Sequence, residues 1–329
     1  MDMKPHPRVI VPAVLIAAVV GCEPRGSQPP AGQSLLTEVQ RRRWQTPHGA
    51  GVALRSAHYE IFSTADRPAL RRYLPGFMEA THKRYLALTG LPDTPRAEPM
   101  AIYMLAGRRE WAALTRDVFG PKTPALHIEA GGYCHEGVCV FWDIGGTATL
   151  SVAAHEGLHQ FFHHRLREQL PMWLEEGLCV LAEGHRVDGQ AVRFTPSENP
   201  QRFTALRSAL VNQHWLALPD LLETDAGDVV GRGTQRAVAW YAQVWALARF
   251  IQSHPRYRAG LHRLLSDAAA GRFADALGLP AGALTKLRRR GRAYNRTVSV
   301  PLFEHYISDD LDTVAAEYRA YAERIADLR

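Results

Sequence analysis

Apolar and polar positions along this chain follow two periods, and the balance between them shifts along its length. Leu70, Tyr73, Leu74, Phe77, Met78, Tyr85 and Leu88 recur at the spacing of one helix face. Asp66, two residues before Pro68, marks the start of that helix, and Gly90 its stop. Short β-favouring runs flank it, at 58–62 and at 100–105, and a second helix is expected over 108–118. Between 131 and 144 β-favouring residues lie on both sides of His135-Glu136-Gly137-Val138, the pattern of a hairpin whose strongest strand is 138–142. Helical spacing then takes over: 148 to about 167, Pro171 to about 182, a stripe of Tyr241, Val244, Trp245, Ala248 and Ile251, and another of Val314, Tyr318, Tyr321, Ile325 and Leu328. A small α/β portion over 48–185 followed by a mostly helical portion over 186–329 makes the expected class α+β.

The first 47 residues read differently. Lys4, His6 and Arg8 precede an apolar run from Val9 to Gly21 that is too short to span a bilayer comfortably. The run ends Val19-Val20-Gly21-Cys22, which resembles the bacterial lipoprotein signal. That resemblance implies a signal peptide over 1–22, cut before a lipidated Cys22, and an exported protein held at the cell envelope by acyl chains. Residues 23–47 are rich in Pro, Gly, Ser, Gln and Arg and read as a flexible tether.

Composition narrows the field without naming a chemistry. The chain has 329 residues, 46% hydrophobic and 22% charged, enough for a sizeable core in one or two domains. The net charge of +6 includes the runs Arg41-Arg42-Arg43 and Lys286-Leu287-Arg288-Arg289-Arg290. No nucleic-acid-binding motif accompanies them, so solvated faces or attraction to an anionic membrane are the expected readings. Cys134 and Cys139 flank the expected hairpin tip, where an oxidising compartment permits a bridge. Cys179 is then left as a buried thiol, although its pairing with either of the others is also open.

One constellation names a chemistry. His155-Glu156-Gly157-Leu158-His159 sits in an expected helix, so both imidazoles face one side a turn apart and can reach a single ion. Catalytic zinc usually keeps three protein ligands and leaves a place for water. Glu156 projects at a neighbouring angle, from which it can serve as general base without occupying a coordination position. Further on, Trp173-Leu174-Glu175-Glu176-Gly177 offers a carboxylate from the next helix, at a distance a tight turn can close.

Together the two strings resemble the gluzincin zinc peptidases, and more closely the exported bacterial proteins of the peptidase-MA-like group. The strict motifs cover some two dozen residues; a looser likeness spans roughly 55 to 270. The resemblance implies a zincin-like core of thermolysin type, Zn2+ as cofactor, His155, His159 and Glu176 as ligands, and Glu156 as the catalytic carboxylate. Many gluzincins carry an acidic residue four positions after the ligand glutamate. Here that position is Val180, with Glu183 one turn further on. The aminopeptidase string G-x-M-E-N is absent from the sequence, so that specificity is not implied.

The expected function is peptide-bond hydrolysis by zinc-activated water on a peptide or protein substrate, with a catalytically inactive binding or assembly module of the envelope as the alternative. Tyr241 is a candidate donor to the oxyanion of a tetrahedral intermediate, and equally a candidate core residue. The strand 138–142 is either a cleft rim that pairs with extended substrate or an internal strand.

Overall fold

In Tyr59–Ser63 every second side chain is buried, the alternation of a strand with one face on a core. That strand lies in a six-stranded mixed sheet on which the rest of the amino-terminal half is built. A computed structural model describes residues 32–327 apart from 47–48, 130, 196–198, 226, 228, 230–232, 281 and 289–290. The expected signal segment 1–22, Cys22 and residues 23–31 lie outside the described residues.

The strands are β1 (Gln33–Ser34), β2 (Gln40–Thr46), β3 (Gly49–Arg55), β4 (Tyr59–Ser63), β5 (Met100–Leu105), β6 (Gly132–His135), β7 (Val138–Trp142), β8 (His185–Asp188) and β9 (Ala191–Phe194). The helices of the first half are α1 (Pro68–Thr89), α2 (Arg108–Phe119), α3 (Gly146–Arg165) and α4 (Met172–Ala182). Those that follow are α5 (Pro200–Val211), α6 (Leu218–Glu223), α7 (Thr234–Ser253), α8 (Pro255–Ala270), α9 (Phe273–Ala276), α10 (Ala283–Arg288), α11 (Arg292–Tyr306) and α12 (Leu311–Ile325). The protein is α+β. Among the described residues no helix is long and apolar enough to cross a membrane.

The large sheet runs β2-β3-β4-β5-β7-β6. β4, β5 and β7 are parallel, β2 and β3 extend them antiparallel on one side, and β6 closes the other side antiparallel to β7. One apolar cluster joins the sheet to α1 and the start of α3; another joins it to α2 through Trp111, Tyr133 and Trp142. A third, larger cluster joins α4 to α7, α8, α11 and α12 around the buried Trp173, Trp240 and Trp245.

Two expectations are corrected. Part of the expected tether, 23–47, is ordered: β2 pairs along its whole length with β3, and Leu35 is buried against α1. The run Arg41-Arg42-Arg43 hides this, because an edge strand carries exposed charge. Arg42 pairs with Glu60 at 2.9 Å, while Trp44 is the residue that packs, against Phe62 and Tyr103. Secondly, the mostly helical portion begins with a hairpin, since β8 and β9 join β1 in a three-stranded sheet. These four-residue strands carry Arg186, Asp188 and Arg193, too few apolar positions to show a period. Of the two readings left open for the strand 138–142, the internal strand is the one observed. β7 is paired on both sides, by β5 and by β6, which leaves β6 as the edge on that side of the sheet among the described residues.

Candidate metal centre

Helix α3 starts in a turn fixed by Asp143, whose carboxylate accepts from Gly145 N at 2.9 Å and Thr149 Oγ1 at 3.2 Å. The helix is buried nearly all round, which is why its sequence shows little amphipathic period. Two glycines allow the metal motifs to sit where they do. A Cβ on Gly157 would lie 2.5 Å from the Tyr85 hydroxyl, which itself donates to Ala154 O at 2.7 Å and ties α1 to α3. A Cβ on Gly177 would lie 2.6 Å from Val244 O, so the glycine lets α4 lie close against α7. Helix α4 follows Pro171, and its first free N–H, that of Met172, is capped by Asn295 Oδ1 at 2.8 Å from α11.

These helices bring His155, His159 and Glu176 together. The two Nε2 atoms are 3.3 Å apart. Glu176 Oε2 lies 3.5 Å from His155 Nε2, and Oε1 lies 3.7 Å from His159 Nε2. Zinc bonds of about 2.0–2.1 Å put the corners of a tetrahedron roughly 3.3–3.4 Å apart. The donor triangle is therefore of the size a tetrahedral ion requires. Glu176 Oε2 is also buried without a hydrogen-bond partner, the kind of orphan a cation would satisfy. By size and by donor chemistry the residues fit zinc.

The far side of each imidazole is held as well. His155 Nδ1 meets Glu183 Oε1 at 2.9 Å, and His159 Nδ1 meets Glu175 Oε1 at 2.9 Å. With Nδ1–H donating to a carboxylate, each Nε2 presents its lone pair inward. The adjacent glutamates thus divide between two positions, Glu175 behind His159 and Glu176 in front of both rings. Glu183 occupies the place left by Val180, and is fixed in turn by Asn199 Nδ2 at 3.1 Å and by Arg202 at 3.3 Å. The sequence held one sign of this: Glu183 follows Glu176 by seven residues, two turns on the same face. Nothing in it pointed to Arg202 or Asn199, which come from α5 and the segment before it.

Burial sets the electrostatics. His155 and Glu156 are each 4% exposed, whereas the His159 side chain is 18% exposed and gives the site its contact with solvent. Burial opposes charge on His155, but the carboxylates of Glu176 and Glu183 outweigh it and raise its pKa to about 9. Burial pushes the Glu176 carboxyl up, and His159 and His155 pull it net below its ordinary value. Glu156 goes the other way: burial raises it despite the opposing pull of both histidines. A carboxylate poised above its usual range is suited to accept and return a proton.

The remaining candidates fall into place around this triangle. Tyr241 is buried on α7 with its ring 5.7 Å from the Arg202 guanidinium. Burial and then the nearby Glu176 charge hold its phenol protonated. Cys179, read from sequence as a leftover thiol, lies with His155 and His159 such that one ligand atom from each falls within 4.8 Å of the others. Burial pushes that thiol up, which disfavours it as a thiolate ligand beside the ionised Glu176. The expected Cys134–Cys139 bridge is corrected: the two face each other across β6 and β7, but both are free thiols, and Cys139 Sγ donates to Glu156 O at 3.1 Å. His163 and His164 turn away to the hairpin tip, where His164 Nε2 donates to Gly137 O at 3.0 Å. Gln160 Nε2 donates to the same carbonyl at 2.8 Å.

No protein-family model matches the chain, and no curated protein matches it.

Proposed function

We propose that the chain is an exported zinc metallopeptidase with a zincin-like core, in which His155, His159 and Glu176 hold the metal and Glu156 is the general base. The convergence of two imidazole Nε2 atoms and one orphaned carboxylate oxygen within 3.3–3.7 Å is the observation that carries this reading. Lipid attachment at Cys22 and residence at the cell envelope rest on the signal-like amino terminus alone.

Bound at this triangle, zinc would supply Lewis acidity to the scissile carbonyl and to the attacking water. The residues of the chain do the rest. Glu183 and Glu175 keep both imidazoles in the tautomer that presents Nε2 inward. The Glu156 carboxylate takes the proton from water and returns it to the leaving amine. Tyr241, kept protonated, is the candidate donor to the carbonyl oxygen.

Burial of the centre supports a second reading, in which the metal is structural and the protein is a binding or assembly module of the envelope. Two surface grooves lie away from the centre, along α2 and beside Trp44 and Tyr103. One experiment separates the two. Glu156→Gln is expected to retain fold and zinc content while peptide turnover falls by about 10²–10⁴-fold. Full activity of that variant on a peptide the parent cleaves would exclude the mechanism. A parent that binds zinc and cleaves nothing in a proteome-derived peptide library would favour the module.

A further inference from the structure

A second set of metal-binding side chains lies outside this centre and shares no residue with it. His58 sits in the turn between β3 and β4, His82 on α1, and Asp93 in the segment that follows α1. His82 Nε2 is 3.2 Å from Asp93 Oδ1, and His58 Nε2 is 3.5 Å from Asp93 Oδ2. One ligand atom from each of the three lies within 4.8 Å of the others.

The opposite nitrogens are already engaged. His58 Nδ1 meets Glu79 Oε2 at 2.6 Å, and Glu79 Oε1 accepts from His58 N at 2.8 Å and from Ser56 Oγ at 2.7 Å. His82 Nδ1 faces the buried Tyr59 hydroxyl at 3.5 Å. Glu79 and His82 are three residues apart on α1, so one helix face supplies both the orienting carboxylate and a ring.

This arrangement can accept a cation. With Nδ1–H donating to Glu79, His58 Nε2 is a lone pair aimed at a carboxylate. The two imidazoles are stacked with centroids 4.0 Å apart and planes 17° apart. A divalent ion would take a lone pair from each neutral imidazole and charge from the Asp93 carboxylate. Two imidazoles, one carboxylate and an open side toward solvent at Asp93 form a donor set suited to zinc.

We propose that His58, His82 and Asp93 form a second zinc site, with Glu79 orienting His58, and that this site fastens the segment after α1 to the sheet. That segment, 90–99, has no regular structure; it is also held by the buried Leu91, by the Arg55–Glu98 pair at 3.5 Å and where the Arg165 guanidinium donates to Pro92 O and Thr94 O. The role is structural, and it does not depend on whether the first centre turns over substrate.

The test is zinc titration of the full chain after chelator treatment, with zinc alone as probe and bound metal measured after desalting. Asp93 is half exposed, so Asp93→Asn is expected to fold as the parent does. It should lose one equivalent of zinc relative to the parent, whether the first centre fills or not, and leave any Glu156-dependent hydrolysis unchanged. Glu79→Gln should weaken the same equivalent by about 10–100-fold. In a His155→Ala/His159→Ala background one equivalent should remain, and Co2+ in its place should give the visible bands of a low-coordinate nitrogen–oxygen site. The proposal is overturned if Asp93→Asn binds as much zinc as the parent with unchanged affinity. It is equally overturned if the folded double-alanine background binds none. Failure of the first centre appears instead as a parent holding a single equivalent that Asp93→Asn abolishes.

Discussion

Glu183 carries more than its place at the end of α4 suggests. It meets the His155 ring, the Arg202 guanidinium and the Asn199 amide in a region that excludes water. Removing it strands the buried Arg202 and frees the imidazole to rotate. Glu183→Ala is therefore expected to destabilise the chain by about 3–5 kcal/mol in denaturant unfolding and to weaken zinc binding by about 10–100-fold. Proton linkage at the same imidazole is also testable. The folded pKa of His155, about 9, lies above its ordinary 6.5. Its bound proton thus stabilises the metal-free chain fully below pH 6.5, and that contribution disappears as pH rises through 9. Zinc must displace this proton. Calorimetry in buffers of differing ionisation enthalpy should show proton release on zinc binding at pH 7, and affinity that rises with pH toward 9. Affinity independent of pH across that window would contradict the assignment of His155 as a ligand.

At the scale of elements, helix contacts depend on glycine where the motifs need close approach. Gly157→Ala brings a methyl group against the Tyr85 hydroxyl, an overpacking expected to cost about 1–3 kcal/mol. Tyr85→Phe removes that oxygen along with its bond to Ala154 O. The double variant should be more stable than the two separate losses add up to, and a thermodynamic cycle on unfolding free energies measures the coupling. Several of these elements were legible in the sequence. The helix from Pro68, the strand 100–105 and the hairpin around 135–138 follow from period and turn residues, and each is observed within a residue or two. The strands β2, β8 and β9 were not legible. Their charged, partly exposed residues lack an apolar alternation, and pairing with a neighbour rather than local preference holds them in place.

The whole molecule stands on a helical platform. Tyr318 of α12 donates to Gln243 O on α7 at 2.8 Å, and α7 in turn backs α4, which bears Glu176. A chain ending at residue 310 would expose Trp215 and Phe250 as well as lose Val314 and Tyr318. Circular dichroism and zinc titration should show loss of cooperative melting and of the first zinc site together. Acid stability has a contribution from Glu79 on α1. Burial pushes the Glu79 carboxyl up, but hydrogen bonds from His58 and Ser56 prevail and lower its pKa from 4.5 to about 2. Stability from this group is complete above pH 4.5 and drains away as pH falls through 2. Glu79→Gln should therefore flatten the acid limb of the melting-temperature profile between those values.

The first imidazole pair follows from local spacing alone. Two histidines four apart on any α-helix face the same way, and this holds before the helix packs against anything. The sequence also marked the next helix as the source of a carboxylate. Which glutamate faces which nitrogen is a matter of packing, since it depends on the angle at which α3 meets α4 and on the closeness of α4 to α7 that Gly177 allows. The His58, His82 and Asp93 cluster belongs wholly to the fold. Its members come from a turn, a helix and an irregular segment, joined by sheet pairing and helix docking that no local spacing encodes.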